Sequence, residues 1–170
     1  MMSSPLKSCY MPLFFRNLMT LPRGLHHVEV NVSNLERSRS FWEWLLRRLG
    51  YSKFQHWKSG ESWKLDDTYI VLVQTRPEHL EIQYNRCQTG LNHLAFHANS
   101  RQQVDELTRE LRRRKIRILY ENKHPFAGGE NYYAVYFEDP DRIKVEVVAP
   151  GKADLNRRFA CSKRSVRRWG

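Results

Sequence analysis

One short stretch occurs twice in this chain, and it constrains the fold more than any other feature. Gly24 opens GLHHVEV and Gly90 opens GLNHLAF. Each copy runs Gly-Leu, a variable residue, a histidine, then alternating apolar residues. A serine follows each copy (Ser33, Ser100), and then an amphipathic helical pattern. An internal repeat of this kind marks a duplicated supersecondary unit. The chain is therefore read as two copies of one strand-led module, with His27 and His93 in equivalent places.

Module one opens with a strand over residues 25–32. Side chains alternate along a strand, so Val28, Val30 and Val32 share one face while His27, Glu29 and Asn31 share the other. The valine face needs an apolar cover. The following helix supplies it: Ser33 and Glu36 form an S-x-x-E start signal, and Leu35, Trp42, Leu45, Leu46 and Leu49 recur at helical spacing. Gly50 ends that helix. Strands are expected over 54–57, 62–65 and 68–74, with turns at Ser59-Gly60 and Asp66-Asp67. Residues 76–90 are polar and irregular and read as the linker.

Module two repeats the order. Its first strand, residues 91–98, places His93, Ala95 and His97 opposite Leu94, Phe96 and Ala98. Ser100 and Gln103 cap a helix carrying Val104, Leu107 and Leu111 inward. Strands over 117–120, 132–138 and 143–148 follow, the last two joined by an Asp139-Pro140-Asp141-Arg142 turn. The expected fold is α+β: two tandem βαβββ modules, residues 25–75 and 91–149, whose curved and mostly antiparallel sheets enclose a shared cavity with helices outside. On the faces away from the helices stand His27, His93 and, on the last strand, Glu146. Trp57, Trp63, Tyr133 and Tyr136 read as core or sheet packing. His124 lies on a Gly-rich loop near the mouth, and His26 on the valine side.

Composition bounds the rest. The net charge of +11 looks like a nucleic-acid footprint, but residues 1–24 carry +3 of it and residues 151–170 carry +6. The 25–150 core is left nearly neutral, so nucleic acid is not expected at the folded part, and the basic extensions read as solvated ends. The first ~20 residues hold an apolar run, MPLFF, that is too short for a secretion signal. No segment has the ~20 consecutive apolar residues of a membrane span. Three widely spaced cysteines (Cys9, Cys87, Cys161) make neither a disulfide framework nor a CxxC metal site, which fits a reducing, cytoplasmic setting.

The GLHHVEVNVSNLERSRSFW opening, the GLNHLAFHANS restart and the FEDPDRIKVEVVAP close resemble the vicinal oxygen chelate superfamily. That group includes glyoxalase I, extradiol ring-cleaving dioxygenases, fosfomycin-resistance enzymes and bleomycin-resistance proteins. The resemblance covers about residues 25–150. It implies one divalent metal ion held on the open sheet faces by His27, His93 and Glu146. Gln74 is the residue nearest the family's fourth position, and Glu29 and His97 share the same faces, placed to hold a ligand or the substrate in position. Two imidazoles and one carboxylate suit Fe, Mn, Ni or Zn, and three protein ligands leave room for two neighbouring substrate oxygens. The resemblance thus implies a metal-dependent enzyme acting on a small molecule, with the general base unassigned. It also implies a homodimer, with ligands drawn from one chain or two. Its alternative is a metal-free protein that sequesters a ligand, as the bleomycin-resistance members do.

Overall fold

The structure is a computed structural model and describes residues 24–151. The two basic extensions expected at the ends lie outside the described residues, as do Cys9 and Cys161.

Two βαβββ modules are present. Module one comprises β1 (His27–Val32), α1 (Leu35–Arg48), β2 (Ser52–Trp57), β3 (Gly60–Leu65) and β4 (Thr68–Gln74). Module two comprises β5 (His93–His97), α2 (Arg101–Arg113), β6 (Ile118–Leu119), β7 (Ala134–Glu138) and β8 (Lys144–Val148). The sheets are ordered β1-β4-β3-β2 and β5-β8-β7-β6. In each, the first strand pairs with the last in parallel, and the remaining pairings are antiparallel. The helix between first and second strands provides the crossover that a parallel pair requires.

Alternation along the first strands sorts the faces as expected. Val30 and Val32 are buried and Val28 half-buried while His27, Glu29 and Asn31 are exposed; Leu94 and Phe96 are buried while Ala95 and His97 are exposed. Both helices lay an apolar stripe on the valine-type faces. Trp42, Leu45 and Leu46 of α1, and Val104, Leu107 and Leu111 of α2, have 2 % exposure or less.

The first helix starts one residue later than the S-x-x-E reading implies. Asn34 is the N-cap, its Oδ1 accepting from Arg37 N at 2.9 Å. Ser33 is diverted into module two, where its backbone N–H and its hydroxyl both donate to Asp141. A cap and a tertiary partner competed for one hydroxyl, and the adjacent Asn supplied an equally good cap. In module two the expectation holds: Ser100 Oγ accepts from Gln103 N at 3.1 Å, and Gln103 Oε1 accepts from Asn99 N at 2.7 Å.

Contacts between the modules run through α1. Its Phe41 and Trp42 rings meet Phe137 and Phe96, which face the helix side of the second sheet, with centroids 6.2 Å apart in both cases. Trp42 Nε1 donates to Asp139 Oδ2 at 3.1 Å, and the Arg48 guanidinium pairs with Glu110 of α2. One hydrophobic core accordingly spans both modules. Glu61 is buried beneath α1, where Arg39 and Lys53 neutralise it.

The β7–β8 connection differs from the four-residue turn read from sequence. Asp139 and Ile143 form a backbone-bonded pair, leaving the three-residue loop Pro140, Asp141, Arg142. Arg142 takes a φ of +66°, the left-handed residue that closes a type I turn in three-residue hairpins. This sets the register Tyr136↔Glu146 and Glu138↔Lys144, and thereby decides which side chains surround the carboxylate.

Candidate functional site

Parallel pairing of β5 with β8 puts Ala95 opposite Glu146 and His93 opposite Lys144. His93 and Glu146 are thus diagonal neighbours on the uncovered face, and His93 Nε2 lies 3.0 Å from Glu146 Oε2. The other ring nitrogen is committed. Asn92 Nδ2 donates to the Arg86 carbonyl at 3.1 Å, which fixes the amide so that its Oδ1 faces His93 Nδ1 at 2.8 Å. Read from this network, Nδ1 carries the hydrogen. In its neutral form the ring therefore turns a lone pair toward a carboxylate oxygen. Two acceptors at that separation repel unless a cation, either a proton or a metal ion, lies between them.

The other Glu146 oxygen is also held. The Tyr132 hydroxyl donates to Oε1. Burial, followed by the bond to Glu146, pushes that phenol well above its ordinary range, so it stays a donor. Tyr136, the register partner of Glu146 on β7, is pushed up to about 12, first by burial and then by the carboxylate's charge. A Cβ on Gly128 would collide with the Tyr132 ring and stand 2.8 Å from the Tyr136 hydroxyl. The absence of a side chain there lets the 124–133 loop lie close over the tyrosines. Glu146 itself is 3 % exposed.

His27 sits on the equivalent uncovered face of module one. It stacks on Tyr69, its register partner, at 4.8 Å with a 9° interplanar angle, and its Nδ1 is 2.9 Å from His26 Nδ1. It does not join His93 and Glu146 within one chain: the described residues contain no group of three His, Cys, Asp or Glu side chains able to hold a metal ion. Glu29 and His97 stand on the uncovered faces, as expected from alternation.

Gln74 is not brought to these residues. Its register partner is Val32, on the helix-covered side. Its Oε1 accepts from Leu35 N at 2.9 Å, and its Nε2 donates to the Ser33 and Thr75 carbonyls at 3.0 and 3.1 Å. The amide ties the start of α1 to the end of β4. By register, the position matching Glu146 in module one is Val71, opposite Glu29. His124 likewise works structurally, with Nδ1 at 3.1 Å from the Ala134 carbonyl and Nε2 at 3.4 Å from Thr108 Oγ1.

Sequence reasoning missed Tyr132 and Asn92, and took Tyr136 for packing. Knowing the three-residue turn would have placed Tyr136 beside Glu146. Asn92, next to the repeated histidine, carried no signal of its own.

Cavities of about 350 and 490 Å³ run along the linker, lined among others by Asn31, Tyr84 and Ile143, and the larger one also reaches Glu29. His93 and Glu146 line neither. They lie on the face of the second sheet that the helices leave uncovered.

A family model described as "Glyoxalase/Bleomycin resistance protein/Dioxygenase superfamily" matches residues 24–147. The uncharacterized protein YqjT of Bacillus subtilis (strain 168) is 57% identical over 126 residues, spanning 74% of this chain and 98% of that one. The crystal structure of a candidate glyoxalase from Bacillus halodurans superposes with a TM-score of 0.73 at 55% identity, covering 82% of this chain and 100% of that one. The fosfomycin resistance protein FosX of Listeria monocytogenes shares the fold, with a TM-score of 0.57 at 19% identity over 79% of this chain and 98% of that one.

Proposed function

The chain belongs to the glyoxalase/bleomycin resistance protein/dioxygenase superfamily, and from that premise we propose that it is a divalent-metal-dependent enzyme acting on a small molecule through two vicinal oxygens. His93 and Glu146 supply two ligands, and His27 supplies the third from a second copy of the chain in a homodimer. One observation carries the reading: the Nε2 lone pair of His93 and Glu146 Oε2 converge at 3.0 Å. That separation suits two ligands each about 2.1 Å from a shared ion. Transfer of His27 from a second copy follows from its isolation on the opposite module. It also agrees with the exposed apolar side chains around the uncovered faces and linker, Leu25, Ile82 and Leu91 among them.

The donor set fits a borderline metal, Fe, Mn, Ni or Zn. When bound, such an ion supplies Lewis-acid stabilisation of negative charge on substrate oxygens. The chain's own residues do the rest. Asn92 fixes the His93 tautomer, and Tyr132 and Tyr136 hold their protons against Glu146. The uncovered faces, with Glu29 and His97, receive the substrate. A cytoplasmic setting accords with Cys87 standing exposed and free. No helix among the described residues is long and apolar enough to cross a membrane.

Elemental analysis and Mn²⁺ titration test the reading. Wild type should hold about one ion per chain, and Glu146→Ala, His93→Ala and His27→Ala should each lose it. A mixture of the His27→Ala and His93→Ala chains should recover part of the binding, because one site of a mixed dimer is then intact. Full occupancy in Glu146→Ala would end the assignment. The second reading, a metal-free protein that sequesters its ligand, is favoured by the ability of the His93–Glu146 pair to share a proton instead of a metal. Wild type that binds no Fe, Mn, Ni or Zn selects it.

A further inference from the structure

We propose that Lys144 forms an anion-binding subsite beside the His93–Glu146 pair, so that the ligand of this face carries a carboxylate or phosphate-type group in addition to its chelating oxygens. The proposal rests in part on the metal reading above, and its test separates the two.

Lys144 is only 9 % exposed. It projects from the uncovered face of β8, flanked by its register partners His93 on β5 and Glu138 on β7. Among the described residues its ammonium has no hydrogen-bond or ion-pair partner. Its hydrocarbon stem is covered while its ammonium still meets solvent, as long cationic side chains commonly arrange themselves, so the charge stands open to a ligand on this face. The obvious partner is taken: Glu138 accepts from Arg86 Nη1 at 2.6 Å, with Arg117 Nη1 at 3.5 Å and Arg142 Nε at 3.6 Å. Three arginines therefore hold that one carboxylate, and Lys144, its register partner, is left without an ion pair. An anionic ligand group on this face would pair with that free ammonium.

Position limits what that group belongs to. Lys144 and Glu146 are two residues apart on one strand, which places their side chains about 7 Å apart along the same face. A short molecule whose vicinal oxygens reach the His93–Glu146 end can set a terminal anion against Lys144. Ammonium-to-anion contacts are charge-assisted and stronger than neutral hydrogen bonds, so the subsite selects anionic over neutral ligands of the same skeleton.

The test begins with metal-free protein and inorganic phosphate, by titration calorimetry. Saturable binding is expected in wild type and in the surface control Lys58→Met, with a loss of about tenfold or more in Lys144→Met and recovery in Lys144→Arg. Lys144→Met should melt no lower than wild type in phosphate-free buffer, which guards against misfolding. The second arm uses Mn²⁺-loaded protein with glycerate and 3-phosphoglycerate, which differ only by the phosphate. Wild type should prefer the phosphorylated acid by about tenfold, and Lys144→Met should lose the preference while still binding Mn²⁺. Phosphate binding undiminished in Lys144→Met, or absent from wild type, overturns the subsite. Phosphate binding that depends on Lys144 in a protein that takes up no Mn²⁺ overturns the metal reading and leaves the subsite standing.

Discussion

His93 Nε2 and Glu146 Oε2 face each other at 3.0 Å, and Asn92 Oδ1 holds the imidazole's other nitrogen at 2.8 Å. The arrangement depends on a residue that touches no ion itself. Asn92→Ala frees the ring to place its hydrogen on Nε2 and bond Glu146 directly. Mn²⁺ affinity should then fall about tenfold, the usual scale for losing a residue that orients a ligand. A competition titration against a chelating dye measures it, and unchanged affinity would remove Asn92 from the site.

Tyr132 holds the other oxygen of the same carboxylate. Tyr132→Phe keeps the ring against Gly128 and removes only the hydroxyl. The expected result is about a tenfold to hundredfold loss of metal affinity, with the far-UV spectrum of metal-free protein unchanged. An equal loss from Tyr133→Phe, whose hydroxyl bonds Asp105 instead, would point to a general loosening of the loop.

Gln74 joins β4 to the start of α1 through three hydrogen bonds between 2.9 and 3.1 Å. Gln74→Ala should destabilise the fold by about 1–3 kcal/mol, since it strands backbone groups that are partly buried. Metal affinity should not change. Loss of bound metal without loss of stability would return Gln74 to the ligand set.

Asp139 gives a pH signature. Burial raises its carboxyl from 3.8 to about 6, against the opposing pull of its N–H donors from Ile143, Trp42 and Asp141. In the unfolded chain the acid ionises near pH 4, while in the folded chain it keeps its proton until about pH 6. Folded protein thus binds more protons across that window, and stability falls as pH rises from about 4 to about 6. The change is up to about 3 kcal/mol, at 1.36 kcal/mol per pKa unit. Asp139→Asn should lack this component, so urea midpoints of the two proteins should diverge over that range and run parallel above it. Parallel curves throughout would show an unperturbed acid.

Trp42 links the modules through the same carboxylate. Trp42→Phe removes the N–H that reaches Asp139 at 3.1 Å and part of a fully buried ring. A cost of about 1.5–3 kcal/mol is expected for the bond to a charged group, more if the smaller ring leaves a cavity. Equilibrium unfolding with an unchanged urea dependence would confirm that the two modules still unfold together.

The duplicated GLHHVEV and GLNHLAF stretches determined the architecture: two βαβββ modules, the faces of both first strands, and the positions of His27, His93 and Glu146 away from the helices. Alternation along a strand is a property of the backbone, so the sequence expresses it directly. What the sequence left undetermined are the contacts between distant segments. The choice of Asn34 over Ser33 as cap followed from Asp141, more than a hundred residues away, taking the serine. The place of Tyr136 beside Glu146 followed from a three-residue turn closed by Arg142 in a left-handed conformation. Gln74's turn toward the helix, and the unpaired state of Lys144 beside a carboxylate already claimed by arginines, depend on pairing register and on competition for partners. Those are decided only when the whole chain has folded, because a hydrogen bond or an ion pair goes to whichever group three-dimensional packing brings within reach.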